Sequence, residues 1–177
     1  LRGDNTDGVG LLRDLTENHG FAPAGKRILL LGAGGAARGV LQPLLDSGPS
    51  ELVIANRTAS KAVALADGHR TAGGDILRGC GLDGLVGARF DLIIHATSSG
   101  LGGGVPDIPA DCLADGGWAY DMLYADTQTP FCRWAAEHGA SRAMDGLGML
   151  VEQAAESFRL WRGVRPRTAP VIDMLRG

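Results

Sequence analysis

Gly32-Ala33-Gly34-Gly35-Ala36-Ala37 closes a continuous apolar run, Ile28-Leu29-Leu30-Leu31, and is followed by Val40, Leu41 and Leu44 at helical spacing. The order reads as strand, tight turn, helix. The six residues fit the pattern G-x-G-x-x-G/A, in which the first glycine makes the turn and the second leaves room for a pyrophosphate. The small third residue, here Ala37, lets the helix sit close on the strand. Backbone N–H groups at the helix start, with the positive end of its dipole, then face the phosphates. The same glycines would also serve a purely structural left-handed turn, so the neighbouring strand has to decide.

That strand is Glu51-Leu52-Val53-Ile54-Ala55, ending at Asn56-Arg57-Thr58, and Gly32 to Asn56 is 24 positions. Enzymes that use NAD place an acid about 20 residues on, against the ribose 2′-OH. No acid stands at this strand end. Arg57 is there instead, with Lys61 one helical turn onward; two cations and the Thr58 hydroxyl suit a 2′-phosphate through charge-assisted hydrogen bonds. The reading is NADP(H) over NAD. The plainer alternative is that Thr58 caps a helix while Arg57 and Lys61 are solvated.

Two further stretches could carry chemistry. Thr97-Ser98-Ser99-Gly100 follows the apolar strand Phe90–Ala96, and hydroxyls and glycines past a parallel strand's carboxyl end are where an open α/β sheet binds its ligand, unless they form a plain loop. Asp7 sits just inside a helix that Asn5 or Thr6 can cap, which serves equally for dipole compensation or a ligand. Gly8 and Gly10, costly in a helix, imply that something approaches the backbone closely there. No pair among His19, His69, His95 and His138 has metal-ligand spacing, so no metal is expected. Cys80, Cys112 and Cys132 show no C-x-x-C spacing and read as free thiols of a cytoplasmic protein.

Strand runs at 28–31, 51–55, 90–96 and 118–122, with a weak one near 76–77, alternate with helical patterns from about 36, 59, 82, 129 and 145. The fold expected is α/β, a Rossmann-type doubly wound, mainly parallel sheet in three αβα layers. On the longest helix, 145–161, Leu147, Leu150, Val151, Ala154, Phe158 and Trp161 form one apolar arc, read as the core face. Gly146, Met149, Gln153 and Ser157 form a stripe beside it that can border a cleft. The 177 residues, 45% hydrophobic and 21% charged, suffice for one domain with a sizeable core, and 28 glycines suit tight turns around a ligand. Net charge −3 and pI near 5.8 argue against nucleic-acid binding, and no run is long and apolar enough to span a membrane. A start at Leu1, directly before a glycine-rich segment, predicts a piece of a longer protein.

Gly3-Asp4-Asn5-Thr6-Asp7-Gly8, Gly32-Ala33-Gly34-Gly35-Ala36, Asn56-Arg57-Thr58, Ala96-Thr97-Ser98-Ser99-Gly100, Tyr120-Asp121-Met122 with Tyr124, and Asp145-Gly146-Leu147-Gly148-Met149-Leu150-Val151 with Gln153 together resemble shikimate dehydrogenase in type, order and spacing. The likeness runs along the whole chain but covers only the cofactor-binding half of that family's enzyme. It implies NADPH-dependent reduction of 3-dehydroshikimate to shikimate in aromatic amino-acid biosynthesis. On this resemblance Asp7, Tyr124 and Gln153 reach the substrate, Asp7 pairing with a catalytic lysine, while Gly32 to Ala36, Asn56, Arg57, Thr58, Lys61, Thr97, Met122, Gly146 and Met149 hold the cofactor. That lysine belongs to an amino-terminal substrate domain with no counterpart here, so residues 1–177 read as one NADP-binding domain, inactive alone. His95 stands where the family commonly has asparagine, and Lys61 where it commonly has arginine. Two other readings stay open: an NAD-preferring quinate/shikimate dehydrogenase, and a non-catalytic nucleotide-binding module that self-associates, as a homodimer, through the face left by the missing domain.

Overall fold

The computed structural model describes residues 5–97, 104, 105 and 107–177. Gly3, Asp4, Ser98, Ser99 and Gly100, singled out above, lie outside the described residues. In chain order come α1 (Asp7–Arg13, continued by a π-helical turn, Asp14–Asn18), β1 (Arg27–Leu31), α2 (Gly35–Asp46), β2 (Glu51–Ala55), α3 (Ala59–Asp67), the single turn α4 (Arg70–Gly73) and β3 (Leu77–Cys80). Then follow β4 (Phe90–His95), β5 (Leu113–Asp121), α5 (Pro130–Glu137), β6 (Arg142–Met144), α6 (Leu147–Arg162) and α7 (Ala169–Arg176).

All six strands are parallel, in the order β3-β2-β1-β4-β5-β6. This is the doubly wound order, and its direction reverses between β1 and β4. Because both faces are covered, the central strands are apolar at nearly every position rather than alternating. Ile28, Leu30, Leu52, Ile54, Leu92, Ile94 and Tyr120 point to the face packed by α1, α2 and α6. Leu29, Leu31, Val53, Ala55, Ile93 and Ala119 point to the other, against Phe131 and Ala135 of α5. The register lines up Cys80, Ala55, Leu31, His95 and Asp121 in one row across the carboxyl edge, so every loop that can carry chemistry leaves the sheet at the same level.

One expectation is corrected. The long helix does not turn Leu147, Leu150, Val151, Ala154, Phe158 and Trp161 to the core. Leu150 is 37%, Phe158 46% and Trp161 80% exposed, whereas Gly148, Met149, Glu152, Ala155 and Glu156 are buried with Val151. Close packing against α1 decides the side: a Cβ on Gly10 would stand 2.8 Å from the Met149 carbonyl oxygen and the Gln153 nitrogen. The buried face tolerates glutamates because Arg13 meets Glu156 at 2.7 Å, Arg159 meets it at 2.6 Å and Arg165 meets Glu152 at 2.5 Å. Gly8 and Gly10 show the close approach expected of them. The close approach comes from the protein itself, since Pro43 of α2 occupies the space beside Gly8 as α6 does beside Gly10.

Candidate functional site

The turn after β1 opens the site. Gly32 has φ +115°, and a Cβ there would lie 2.8 Å from the Ala96 carbonyl oxygen, so conformation and crowding both demand glycine. Gly34 is different. Its backbone is extended, at φ −85° and ψ −165°, and a Cβ on Gly34 or Gly35 would meet nothing within 4 Å. Neither backbone strain nor internal packing accounts for these two glycines; both border open space at the start of α2. The helix's first amides have no acceptor one turn back, so N–H groups and the dipole's positive end face that space.

Around it lies a cleft of about 720 Å³ at the β1/β4 reversal, within the usual range for small-molecule sites. Gly32, Ala33 and Gly34 form its floor, Asn56, Arg57, Thr58 and Lys61 one flank, and Ala96 and Thr97 the other. The Asn56 amide donates to the Thr58 carbonyl oxygen at 3.0 Å, which shapes the turn after β2. Thr58 begins α3 with no capping bond from its side chain, so capping does not explain that hydroxyl. Arg57 and Lys61 are exposed and join no ion pair among the described residues. Leu82, Val105 and Asp107 also line the cleft. Leu82 opens a short 3-10 helix and Val105 and Asp107 lie on irregular segments; none of the three belongs to a motif that points to a ligand.

Other predicted positions fall outside this lining. Gly35 and Ala36 continue the helix start and are exposed. Met122 and Gly146 meet one step further along the carboxyl edge: the Met122 amide donates to the His95 carbonyl oxygen at 3.0 Å, and a side chain on Gly146 would run into the Met122 carbonyl. Met149 is 7% exposed and packs in the core cluster on the α1 side. Tyr124, after β5, is 55% exposed. Asp7 opens α1, its N–H bonded to the Asn5 side-chain oxygen at 3.1 Å. Next to it Thr6 donates to Gln153 Oε1 at 3.1 Å and shares a 3.0 Å bond with Ser157. The stripe along α6 therefore borders the amino-terminal end of α1, where Gln153 meets Thr6, the neighbour of Asp7, while the Asp7 carboxylate lies beside Gly39 of α2.

Behind Thr97 stands a buried polar cluster whose pairing no motif announced. His95 Nδ1 lies 3.0 Å from Asp121 Oδ1, and His95 Nε2 lies 2.6 Å from Thr97 Oγ1. A second buried cluster ties α1 to the sheet: the Tyr120 hydroxyl donates to Asp14 at 2.6 Å and Asn18 donates to it at 2.9 Å. Burial pushes the Asp14 carboxyl up, but the bonds from His19, Tyr120 and Asn18 outweigh it and hold it below the usual carboxylate range. Burial, with the charge of Asp14, pushes the Tyr120 hydroxyl well above its ordinary value. No group of three or more metal-ligating side chains occurs among the described residues, and none of their helices is long and apolar enough to cross a membrane.

Fold and site together define a doubly wound α/β protein of the Rossmann type with a ligand cleft at its topological switch point. Residues 15–101 match the family model of shikimate / quinate 5-dehydrogenase, and residues 146–176 that of the shikimate 5′-dehydrogenase C-terminal domain. The chain belongs to the shikimate dehydrogenase family. The NADP(+)-dependent shikimate dehydrogenase of Halorhodospira halophila is 59% identical over 98% of this chain and 63% of its own length. Among solved structures, an Ael1 enzyme from Pseudomonas putida superposes with TM-score 0.88 at 50% identity, over 97% of this chain and 62% of that one. Shikimate 5-dehydrogenase from Thermus thermophilus, in complex with NADP(H) and shikimate, superposes with TM-score 0.80 at 34% identity, over 98% and 62%. The chain thus spans just under two thirds of the length of the relatives it matches.

Proposed function

We propose that the chain is the dinucleotide-binding part of a shikimate dehydrogenase and that its cleft takes NADP(H). The observation that carries this is the space over Gly34 and Gly35, which no described residue fills, beside Arg57 and Lys61, which join no ion pair among the described residues. A pyrophosphate fits the first and a ribose 2′-phosphate the second. Gly32, Ala33 and Gly34 would hold the pyrophosphate, Asn56, Arg57, Thr58 and Lys61 the adenosine end, and Thr97, Met122 and Gly146 the nicotinamide end. Relatives named as NADP(+)-dependent, and one solved with NADP(H), support the choice. Bound NADPH supplies a hydride. The chain's own contribution is to hold the nicotinamide at the β4 and β5 ends while Asp7, Gln153 and Tyr124 orient the substrate; in the full-length protein the reaction is reduction of 3-dehydroshikimate to shikimate.

The proton for the developing alkoxide has no donor of the expected kind here. Lys26 precedes β1 at the opposite edge of the sheet, and Lys61 lies beside Arg57. The lysine that pairs with Asp7 then comes from the part of the full-length protein not spanned by this chain, as does the rest of the substrate site. Without general-acid help, worth about 10²–10⁴-fold, and without substrate positioning, these 177 residues alone turn over weakly or not at all. The face of α6 and α7 then meets the other domain or, in the isolated chain, a second copy. A reducing cytoplasm suits three cysteines that are all free.

Calorimetric titration of the chain with NADP⁺ and with NAD⁺ tests the reading. The expected result is tighter binding of NADP⁺, with the preference lost in Arg57→Ala; one charge-assisted bond is worth about 10- to 100-fold. Binding of neither dinucleotide, or a preference for NAD⁺, overturns it. In the full-length protein, absence of NADPH-dependent 3-dehydroshikimate reduction overturns the assignment of the reaction.

A further inference from the structure

The buried polar cluster behind Thr97 has a direction. The Cys132 amide N–H, which can only donate, is 3.2 Å from Thr129 Oγ1, and Thr129 in turn donates to Asp121 Oδ2 at 2.7 Å. The Leu123 amide N–H donates to Asp121 Oδ1 at 3.1 Å. Both carboxylate oxygens are therefore acceptors, and His95 Nδ1, 3.0 Å from Oδ1, meets them as an N–H. A neutral imidazole protonated at Nδ1 has a bare lone pair at Nε2. Thr97 Oγ1 is 2.6 Å from that nitrogen, so beside a neutral ring the threonine's single proton turns inward. Every other hydrogen bond to that oxygen, from backbone or ligand, is then one it accepts. The frame is stiff: His95 and Asp121 are each 1% exposed, Thr129 is 3% exposed, and the imidazole packs on Phe131 with ring centres 4.8 Å apart.

Thr97 flanks the cleft on the β4 side, across the glycine turn from Arg57 and Lys61. A dinucleotide with its 2′-phosphate at β2 and its pyrophosphate over the turn brings its nicotinamide half to Thr97. We infer that His95 and Asp121 are positioning residues that fix the Thr97 hydroxyl as an acceptor, so that the nicotinamide half meets it with a donor, either the carboxamide N–H or a ribose O–H. The ligand half of this inference rests on the NADP(H) reading; the proton direction does not.

The two parts are tested separately. In the chain labelled with ¹⁵N-histidine, with the His95 signals identified by their loss in His95→Gln, a long-range ¹H–¹⁵N correlation at neutral pH is expected to show a protonated Nδ1 and a bare Nε2 before any cofactor is added. Two protonated nitrogens, or a proton on Nε2, overturn the proton direction. NADP⁺ is then titrated into wild type, Thr97→Ser and Thr97→Val. The serine variant should bind within about twofold of wild type and the valine variant about tenfold more weakly, the effect of one hydrogen bond. A 3-acetylpyridine analogue of NADP⁺, which replaces the carboxamide NH₂ by methyl, shows the same loss on wild type if the carboxamide is the donor and none if the ribose is. Wild-type affinity in Thr97→Val overturns the inference and leaves the NADP(H) reading standing. Failure of wild type to bind NADP⁺ overturns that reading and the ligand role of Thr97 with it.

Discussion

Replacing Gly34 with alanine puts one methyl group into space that no described residue fills. The backbone there is extended and accepts any residue, so only the change of helix cap acts on stability, by under about 1 kcal/mol. Dinucleotide binding should fall by more than about tenfold, because the methyl would stand where the proposed site brings the pyrophosphate against the backbone. Parallel denaturation and NADP⁺ titration of Gly34→Ala check this; unchanged affinity would return Gly34 to an ordinary turn. His95 gives the opposite dissociation. His95→Leu leaves the buried Asp121 carboxylate short of a donor and should cost about 2–4 kcal/mol in urea unfolding, and a loss below about 1 kcal/mol would mean that the cluster relaxes freely. Sequence made the first residue readable and the second opaque for a physical reason. Gly34 belongs to a local pattern, whereas the importance of His95 depends on register with Asp121 on a neighbouring strand 26 residues away.

Among the elements, the central strands were legible because burial on both faces writes a continuous apolar run into a few residues. β6 was not read, since three residues at an edge carry no periodicity. The start of β5 was missed because Ala114-Asp115-Gly116-Gly117 lies where the pairing with β4 shifts register, and it looks like loop. For α6 the helical wheel assigned the apolar arc to the core, but the buried face, Gly148, Met149, Val151, Glu152, Ala155 and Glu156, shares only Val151 with that arc. A wheel reports that a face is apolar but not which surface covers it, and here the face buried within the chain is the one whose glutamates meet arginines. The α1/α6 contact makes this testable. Gly10→Ala gains helix propensity, about 1 kcal/mol, but its methyl would press on the Met149 and Gln153 backbone, which cannot retreat as a side chain can. A net loss of about 1–2 kcal/mol in chemical denaturation is expected; a gain would show that α1 and α6 separate easily.

For the molecule as a whole, the arginine–glutamate contacts fix how stability responds to acid. Bonds from Arg159, and then Arg13, bring the Glu156 carboxyl from 4.5 down to about 2 despite burial, and Asp14 too is held below its ordinary 3.8. Each folded value lies below the unfolded one, so this stabilisation is complete above about pH 5 and is lost as pH falls through 4.5 towards 2. The thermal midpoint should be flat at higher pH and drop across that window, less steeply in Glu156→Gln; an equal slope in the variant would remove Glu156 from the account. Opposite the charged face, Leu150, Phe158, Val171 and Leu175 line an apolar groove of about 370 Å³ between α6 and α7, with Trp161 80% and Met174 71% exposed nearby. Exposed apolar surface that is contiguous marks a surface built to be covered, and in the isolated chain only another copy is at hand. Sedimentation velocity should therefore show concentration-dependent association that weakens in Phe158→Ser/Trp161→Ser, while NADP⁺ affinity, proposed to rest on Arg57 and the glycine turn, none of which lines this groove, stays as in wild type. A chain that remains monomeric at high concentration, or a double variant that associates as strongly, would detach self-association from this face.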